Sequence, residues 1–263
     1  MVRAKKTLSQ NFLNSKGVAR DIVQAGELTS QDVVLEIGPG KGLLTAELLA
    51  SGAHVIAVEK DDRLIPILAE KFAFEISKRR LTLIHGDIIE LVEKQTLLLP
   101  LSYKLIANIP YQITGQILRI FLESSNKPER MILMVQKEVA TRIVARDKKE
   151  SILSLSVKAY GTPRIVKKVP ARYFSPAPNV DSAVIAIEHI SSNSFKTTEH
   201  EQAFFDLVKT GFAHKRKQLA GNLKELLKDQ TIPILASVNI APTARAEDIT
   251  LGQWLALAQV FEK

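Results

Sequence analysis

The sequence predicts an α/β fold: a doubly wound, mostly parallel sheet with a small helical domain at its carboxyl end. Three observations carry that prediction. Apolar runs of strand length alternate with segments of helical spacing between residues 33 and 135, the pattern of successive β-α units joined by right-handed crossovers. The first run leads into a glycine turn, Gly38-Pro39-Gly40-Lys41-Gly42, which suits a helix starting straight after a strand. Past residue 190 strand-like runs stop, and Phe204, Phe205, Val208 and Phe212 recur at helical spacing.

Taken in order, Val33–Ile37 reads as the first strand, and Leu43, Leu44, Leu48 and Leu49 mark a helix that stops near Gly52. His54–Val58 is the second strand and ends in Glu59; Leu64, Ile67, Leu68 and Phe72 then repeat at helical spacing. Leu81–Ile84 is the third strand, leading into Gly86-Asp87, and Tyr103–Ala107 is the fourth, leading into Asn108. Ile117, Leu118, Phe121 and Leu122 mark the next helix, and Met131–Val135 is the fifth strand. Ile152–Ala159 and Ala183–Ile187 read as two more strands with no clear helix between them, an expected antiparallel edge pair. The expected division is a domain of residues 1–190 and a helical domain of 191–263, with Ser191–Thr198 as linker.

Composition excludes several classes of function. At 263 residues and 46% hydrophobic content, the chain can bury a full core. No apolar run approaches the ~20 residues of a membrane span, and the basic start Met1-Val2-Arg3-Ala4-Lys5-Lys6 lacks a secretory apolar stretch. The absence of cysteine excludes disulfides, thiolate metal sites and a cysteine nucleophile. The five histidines lack ligand spacing, so no metal is expected. A cytoplasmic monomer is the expectation. Net charge is +8, concentrated in residues 1–20 (five Lys/Arg, no acids) and 130–180 (eleven Lys/Arg, three acids). Two basic segments on a mildly acidic remainder suit a polyanion.

The strand ends carry the chemistry. Glycines in Glu36-Ile37-Gly38-Pro39-Gly40-Lys41-Gly42 allow a ligand to approach the backbone closely. Leu43 stands where a dinucleotide fingerprint has its third glycine, which argues against a bound pyrophosphate. Glu59, 21 residues after Gly38, is placed to accept from both hydroxyls of a ribose. Asp87 is placed to accept from an adenine amine. Asn108-Ile109-Pro110-Tyr111 suits a second planar base with an exocyclic amine. The Asn108 oxygen and the carbonyl before Pro110 accept from the NH2 group, Pro110 fixes the backbone, and the Tyr111 ring stacks. In this order the four features describe an S-adenosylmethionine site beside an amine-methylating site.

These residues, together with Lys5–Leu13, Phe174–Ser182 and Phe212–Leu219, resemble the small-subunit ribosomal RNA adenine N6,N6-dimethyltransferases. The resemblance runs from about residue 5 to about residue 225 and implies a Rossmann-like methyltransferase fold. It implies that Asn11, Leu13, Gly38, Gly40, Glu59, Asp87, Ile88 and Asn108 hold S-adenosylmethionine. It also implies that Asn108, Pro110 and Tyr111 hold the target adenine, with Phe174 covering its other face. Two departures are visible: Ser9 stands where the family usually has Gly, and Ile109 where it usually has Leu. The implied partner is small-subunit ribosomal RNA or its assembly precursor. Arg142, Arg146 and Lys149 at helical spacing, and Lys215-Arg216-Lys217 at a helix end, are candidates for its phosphates. Three other readings are open: a large-subunit enzyme conferring macrolide resistance, a DNA adenine methyltransferase, and a non-catalytic assembly factor. The Phe174–Ser182 block and the basic helical domain favour the small-subunit enzyme over the first. The single proline of Asn108-Ile109-Pro110-Tyr111 weighs against the second, and the cofactor positions against the third.

Overall fold

The computed structural model describes residues 10–145, 147 and 149–261. The elements in chain order are β1 (Phe12–Leu13), α1 (Lys16–Ala25), β2 (Val33–Ile37), α2 (Leu43–Ala50), β3 (His54–Glu59), α3 (Ile65–Lys71), α4 (Ala73–Ser77) and β4 (Leu81–His85). Then come α5 (Ile88–Glu93), β5 (Lys104–Asn108), α6 (Thr114–Leu122), β6 (Arg130–Gln136), α7 (Lys137–Val144), α8 (Ile152–Lys158), β7 (Thr162–Val169), β8 (Phe174–Ser175) and β9 (Ser182–Glu188). The remainder is α9 (Thr198–Gly211), α10 (Leu219–Leu227), α11 (Thr231–Ser237) and α12 (Leu251–Phe261).

Among the described residues, the main sheet has seven strands in the order β4-β3-β2-β5-β6-β9-β7. The first five are parallel, and β9 and β7 add antiparallel to one edge. Strand order reverses between β2 and β5, so a crevice opens at their carboxyl ends, where sheets of this kind take their ligands. The middle strands are covered on both faces: Val34, Leu35, Leu105, Ile106, Ile132 and Leu133 are fully buried, which is why they read as nearly continuous apolar runs. Each such side chain contributes about 1.5–3 kcal/mol on burial.

The chain falls into two compact units, residues 1–140 with 162–190, and residues 141–161 with 191–263. In the first, α1 begins at Ser15, whose side chain accepts from the Val18 N–H, and buries Val18, Ala19, Ile22 and Ala25 along one face. In the second, α9 starts on Thr197, which accepts from the His200 N–H. Trp254 of α12 is fully buried. It lies so close to Gly211 of α9 that a Cβ there would meet the indole, and it would also come within 2.9 Å of Leu219 Cδ1.

Two expectations are corrected. Ile152–Ala159 is a helix, α8, and not an edge strand. Ser151 and Ser154 cap it reciprocally, and Ser154, Leu155 and Val157 are all buried, so the alternation of Ser and Leu does not mark two faces of a strand. The edge partner of β9 is instead β7, which carries Arg164, Lys167 and Lys168 and begins beside Pro163. Charge and an early proline are the marks of an exposed edge, and they hide it from a search for apolar runs. The stretch 141–161, expected in the larger domain, clusters with the helical one.

Candidate active site

The polar residues predicted at the strand ends line one cleft. Its wall includes Asn11, Leu13, Gly38, Gly40, Glu59, Asp87, Ile88, Asn108, Pro110 and Tyr111. Gly38, Gly40 and Gly42 have φ of 68°, 60° and 73°, a region that side-chain-bearing residues avoid. The three glycines differ in what surrounds them. A Cβ on Gly38 would meet nothing within 4 Å, whereas one on Gly42 would lie 2.6 Å from the Phe72 ring. Gly38 therefore leaves room for a ligand, and Gly42 makes room for α3. From α3, Lys71 Nζ donates to the carbonyls of Lys41 (2.8 Å) and Gly42 (3.1 Å) and so braces the turn from behind.

Glu59 is fixed by backbone donors. Its Oε2 accepts from the Gly40 N–H at 3.0 Å and its Oε1 from the Asp61 N–H at 2.8 Å. Burial pushes its carboxyl up, against the pull of those two N–H groups. Each oxygen keeps a lone pair for a ligand hydroxyl. Asp87 caps α5 by accepting from the Ile89 N–H at 2.9 Å, and it also accepts from Lys60 Nζ at 2.6 Å. Burial would raise the Asp87 carboxyl, but Lys60 and the N–H outweigh it and hold it below the usual range.

Asn108 ends β5, and its Nδ2 donates to the Asn11 carbonyl at 3.4 Å. With the amide so turned, Oδ1 is left as an acceptor. Pro110 opens a short helical turn, Tyr111–Ile113, in which its own carbonyl accepts from the Ile113 N–H at 3.2 Å. That leaves the Ile109 carbonyl as the better second acceptor. The Tyr111 hydroxyl lies 2.6 Å from Ser182 Oγ. Phe174 is placed differently. It is 3% exposed and pairs with Leu13 across the β1–β8 ladder, packed in the core and absent from the cleft wall.

Three features were not predicted. Gln10 Nε2 donates to Asp61 Oδ2 at 2.8 Å, and Asp61 is also held by Arg63; with the β1–β8 ladder, this ties the segment before α1 to the cleft. The Arg63 guanidinium keeps the Asp61 carboxyl well below its usual range. Glu36 lines the cleft and is 1% exposed, with no hydrogen bond to its Oε2. Burial pushes the Glu36 carboxyl up to about 8, and the charge of Glu59 adds to this, while Thr45 and Lys71 act in the opposite direction. Its place at the head of the glycine turn was the available signal. The third is Lys60, which lines the cleft beside Glu59 and donates to Asp87.

The RNA candidates divide. Lys215, Arg216 and Lys217 are all exposed, in the loop after α9, where Asn222 Nδ2 donates to the carbonyls of Gly211 at the end of α9 (2.5 Å) and of His214 (3.2 Å). Arg142 is exposed in the last turn of α7. Lys149 is not on that helix, which ends at Val144 before Ala145 at φ 51°; instead it pairs with Asp248 and with Glu247 (3.4 Å). The single helical face expected for Arg142, Arg146 and Lys149 is therefore corrected. Arg146 lies outside the described residues, as does the Lys5–Ser9 part of the amino-terminal block.

Comparison with known proteins follows the same line. The family model described as ribosomal RNA adenine dimethylase matches residues 1–263. A ribosomal RNA small subunit methyltransferase A from Dehalococcoides mccartyi is 41% identical over 99% of this chain and 89% of its own length. One from Fusobacterium nucleatum is 37% identical over 98% and 97%. Among solved structures, a dimethyladenosine transferase from Plasmodium falciparum superposes with a TM-score of 0.79 at 25% identity, covering 94% of this chain and 95% of that one. The 23S rRNA methyltransferase ErmE gives 0.75 at 24% identity, covering 96% of this chain and 100% of that one, a likeness of fold.

Proposed function

Because the chain belongs to the ribosomal RNA adenine dimethylase family, we propose that it dimethylates N6 of two adjacent adenines near the 3′ end of small-subunit ribosomal RNA. Membership makes it an rRNA adenine methyltransferase; the small-subunit substrate is inferred from the names of the curated relatives. The methyl donor is S-adenosylmethionine, the substrate an assembly precursor in the cytoplasm, and a role in ribosome assembly accompanies the reaction.

The observation that carries this reading is the convergence of Glu59, Asp87, Asn108 and Tyr111, from three strand ends, on one cleft beside the glycine turn. The residues fit the donor. Glu59 has oriented oxygens for a ribose diol, and Asp87 and Ile88 flank the place for an adenine. Gly38 leaves backbone open to approach. Glu36 lines the same cleft and keeps one oxygen without a hydrogen-bond partner. When bound, the donor supplies a methyl group on a sulfonium, whose departure needs no proton.

The chain's own task is positioning. The adenine N6 lone pair is delocalised into the ring and attacks poorly. Asn108 Oδ1 and the Ile109 carbonyl each accept one N6–H, which favours a pyramidal nitrogen and aims its lone pair. Tyr111 stacks on the base, which must first leave its helix or loop. No strong general base is required, because the N6 proton becomes acidic only after methylation and can pass to water.

Mapping N6,N6-dimethyladenosine in small-subunit RNA from cells with and without this chain tests the reading. Loss of two adjacent dimethyladenosines without the chain is expected; an unchanged map would overturn it. With purified components at saturating donor, Asn108→Ala should cut turnover far more than RNA binding.

A further inference from the structure

The reaction as described uses the Tyr111 ring and leaves its hydroxyl without a task. That hydroxyl lies 2.6 Å from Ser182 Oγ, 71 residues further along the chain. The distance lies within the ordinary range of an O–H···O bond. The two partners are held very differently. Ser182 is fully buried at the first position of β9. It pairs with Gln136 of β6 on one side and Val169 of β7 on the other, so ladders on both sides fix its backbone. Tyr111 sits on a short helical turn after Pro110 and is only half-buried. Swinging the ring about Cα–Cβ would carry its oxygen away from Ser182, so the contact holds the direction of the ring's long axis.

We propose that Ser182 is a positioning residue for methyl transfer, holding the Tyr111 hydroxyl so that the long axis of the ring stays fixed in the cleft wall where the target adenine stacks. This rests on the reading of Tyr111 as the stacking residue. Ser182 does not touch the base. It acts by removing the swing about Cα–Cβ that would otherwise have to be frozen each time an adenine enters, and a ring placed in advance costs nothing at the moment of reaction. Burial raises the Tyr111 phenol, so the O–H stays available to bridge to Ser182 throughout the neutral range.

The test is a double-mutant cycle on turnover with small-subunit particles at saturating S-adenosylmethionine. Ser182→Ala and Tyr111→Phe should each lower kcat roughly five- to tenfold, about what one lost orienting hydrogen bond gives. The double variant should be no slower than either single one. KM for the particle and donor affinity should move less than twofold, and Ser182→Thr, which keeps the hydroxyl, should restore most of kcat. Additive losses, or a lowered Tm in Ser182→Ala with kcat intact, would overturn the proposal. Tyr111→Ala separates this inference from its premise. If Tyr111→Ala turns over normally, the stacking role itself is wrong and Ser182 has nothing to position. If Tyr111→Ala is inactive while Ser182→Ala is normal, only the positioning role is lost.

Discussion

At the scale of single residues, Glu36 shows most clearly what this fold pays to build its cleft. In the unfolded chain its carboxyl loses its proton near the ordinary value of 4.5, and in the folded protein near 8. Between those values the folded state holds a proton that the unfolded state has released. Stability on this account therefore falls as pH rises from 4.5 to 8 and levels off above. Glu36→Gln mimics the protonated form. It should match the wild type below pH 4.5 and exceed it at pH 8.5 by at least about 1 kcal/mol, or some 2–4 °C in Tm. Urea midpoints at the two pH values check this, and equal midpoints at pH 8.5 would return Glu36 to an ordinary carboxylate. The contrast with Glu59, Asp87 and Asn108 explains what could be read in advance. Those three announce themselves by ending apolar runs with a polar group. Glu36, Asp61 and Ser182 draw their roles from Glu59, Gln10 and Tyr111, partners set beside them by folding and not by a recognisable spacing.

At the scale of elements, the central strands of the parallel sheet were legible because both of their faces are buried, which forces nearly continuous apolar runs. Val33–Ile37 emerged with its limits unchanged. What failed was the stretch around Ile152, where serines between leucines imitate a two-faced strand but are caps and small buried residues of a helix. Glycines inside helices give a sharper test of the structure. Gly211 lies against Trp254, so Gly211→Ala should destabilise by about 1–3 kcal/mol through overpacking. On α10, a Cβ at Gly221 would meet nothing within 4 Å, so Gly221→Ala should stabilise by about 0.5–1 kcal/mol from helix propensity alone. Thermal melts of the two variants should move in opposite directions. A Gly211→Ala variant that melts no lower than the wild type would mean that α9 and α12 do not pack as described.

At the scale of the molecule, the excess of positive charge was legible but its sites were only half so, because spacing does not reveal which cations are already engaged. Lys149 is bound by Asp248 and Glu247, and these carboxylates cancel what it could offer a phosphate. The Lys215–Lys217 loop is exposed throughout. Replacing Lys215, Arg216 and Lys217 together by Gln should weaken binding to small-subunit RNA. It should also flatten the dependence of log K on log salt by roughly 0.7–0.9 per lost contact. Lys149→Gln should leave that slope nearly unchanged, and donor affinity should hold in both. Binding titrations across a salt series decide this. An unchanged slope in the triple variant would remove the loop from the RNA interface.

The β1–β8 ladder has a consequence for how the protein comes into being. A ribosome delivers the chain from its amino end, and domains gather as they emerge. Strands β2 to β6 can assemble once residue 136 is clear. Phe12 and Leu13 of the cleft wall, however, pair with residues 174–175 and must wait for them. During synthesis there is thus an interval in which the sheet exists and its cleft stands open on one side. Ligand capture in the finished cleft belongs after that interval, so binding can stabilise only a chain from which residue 175 has already emerged.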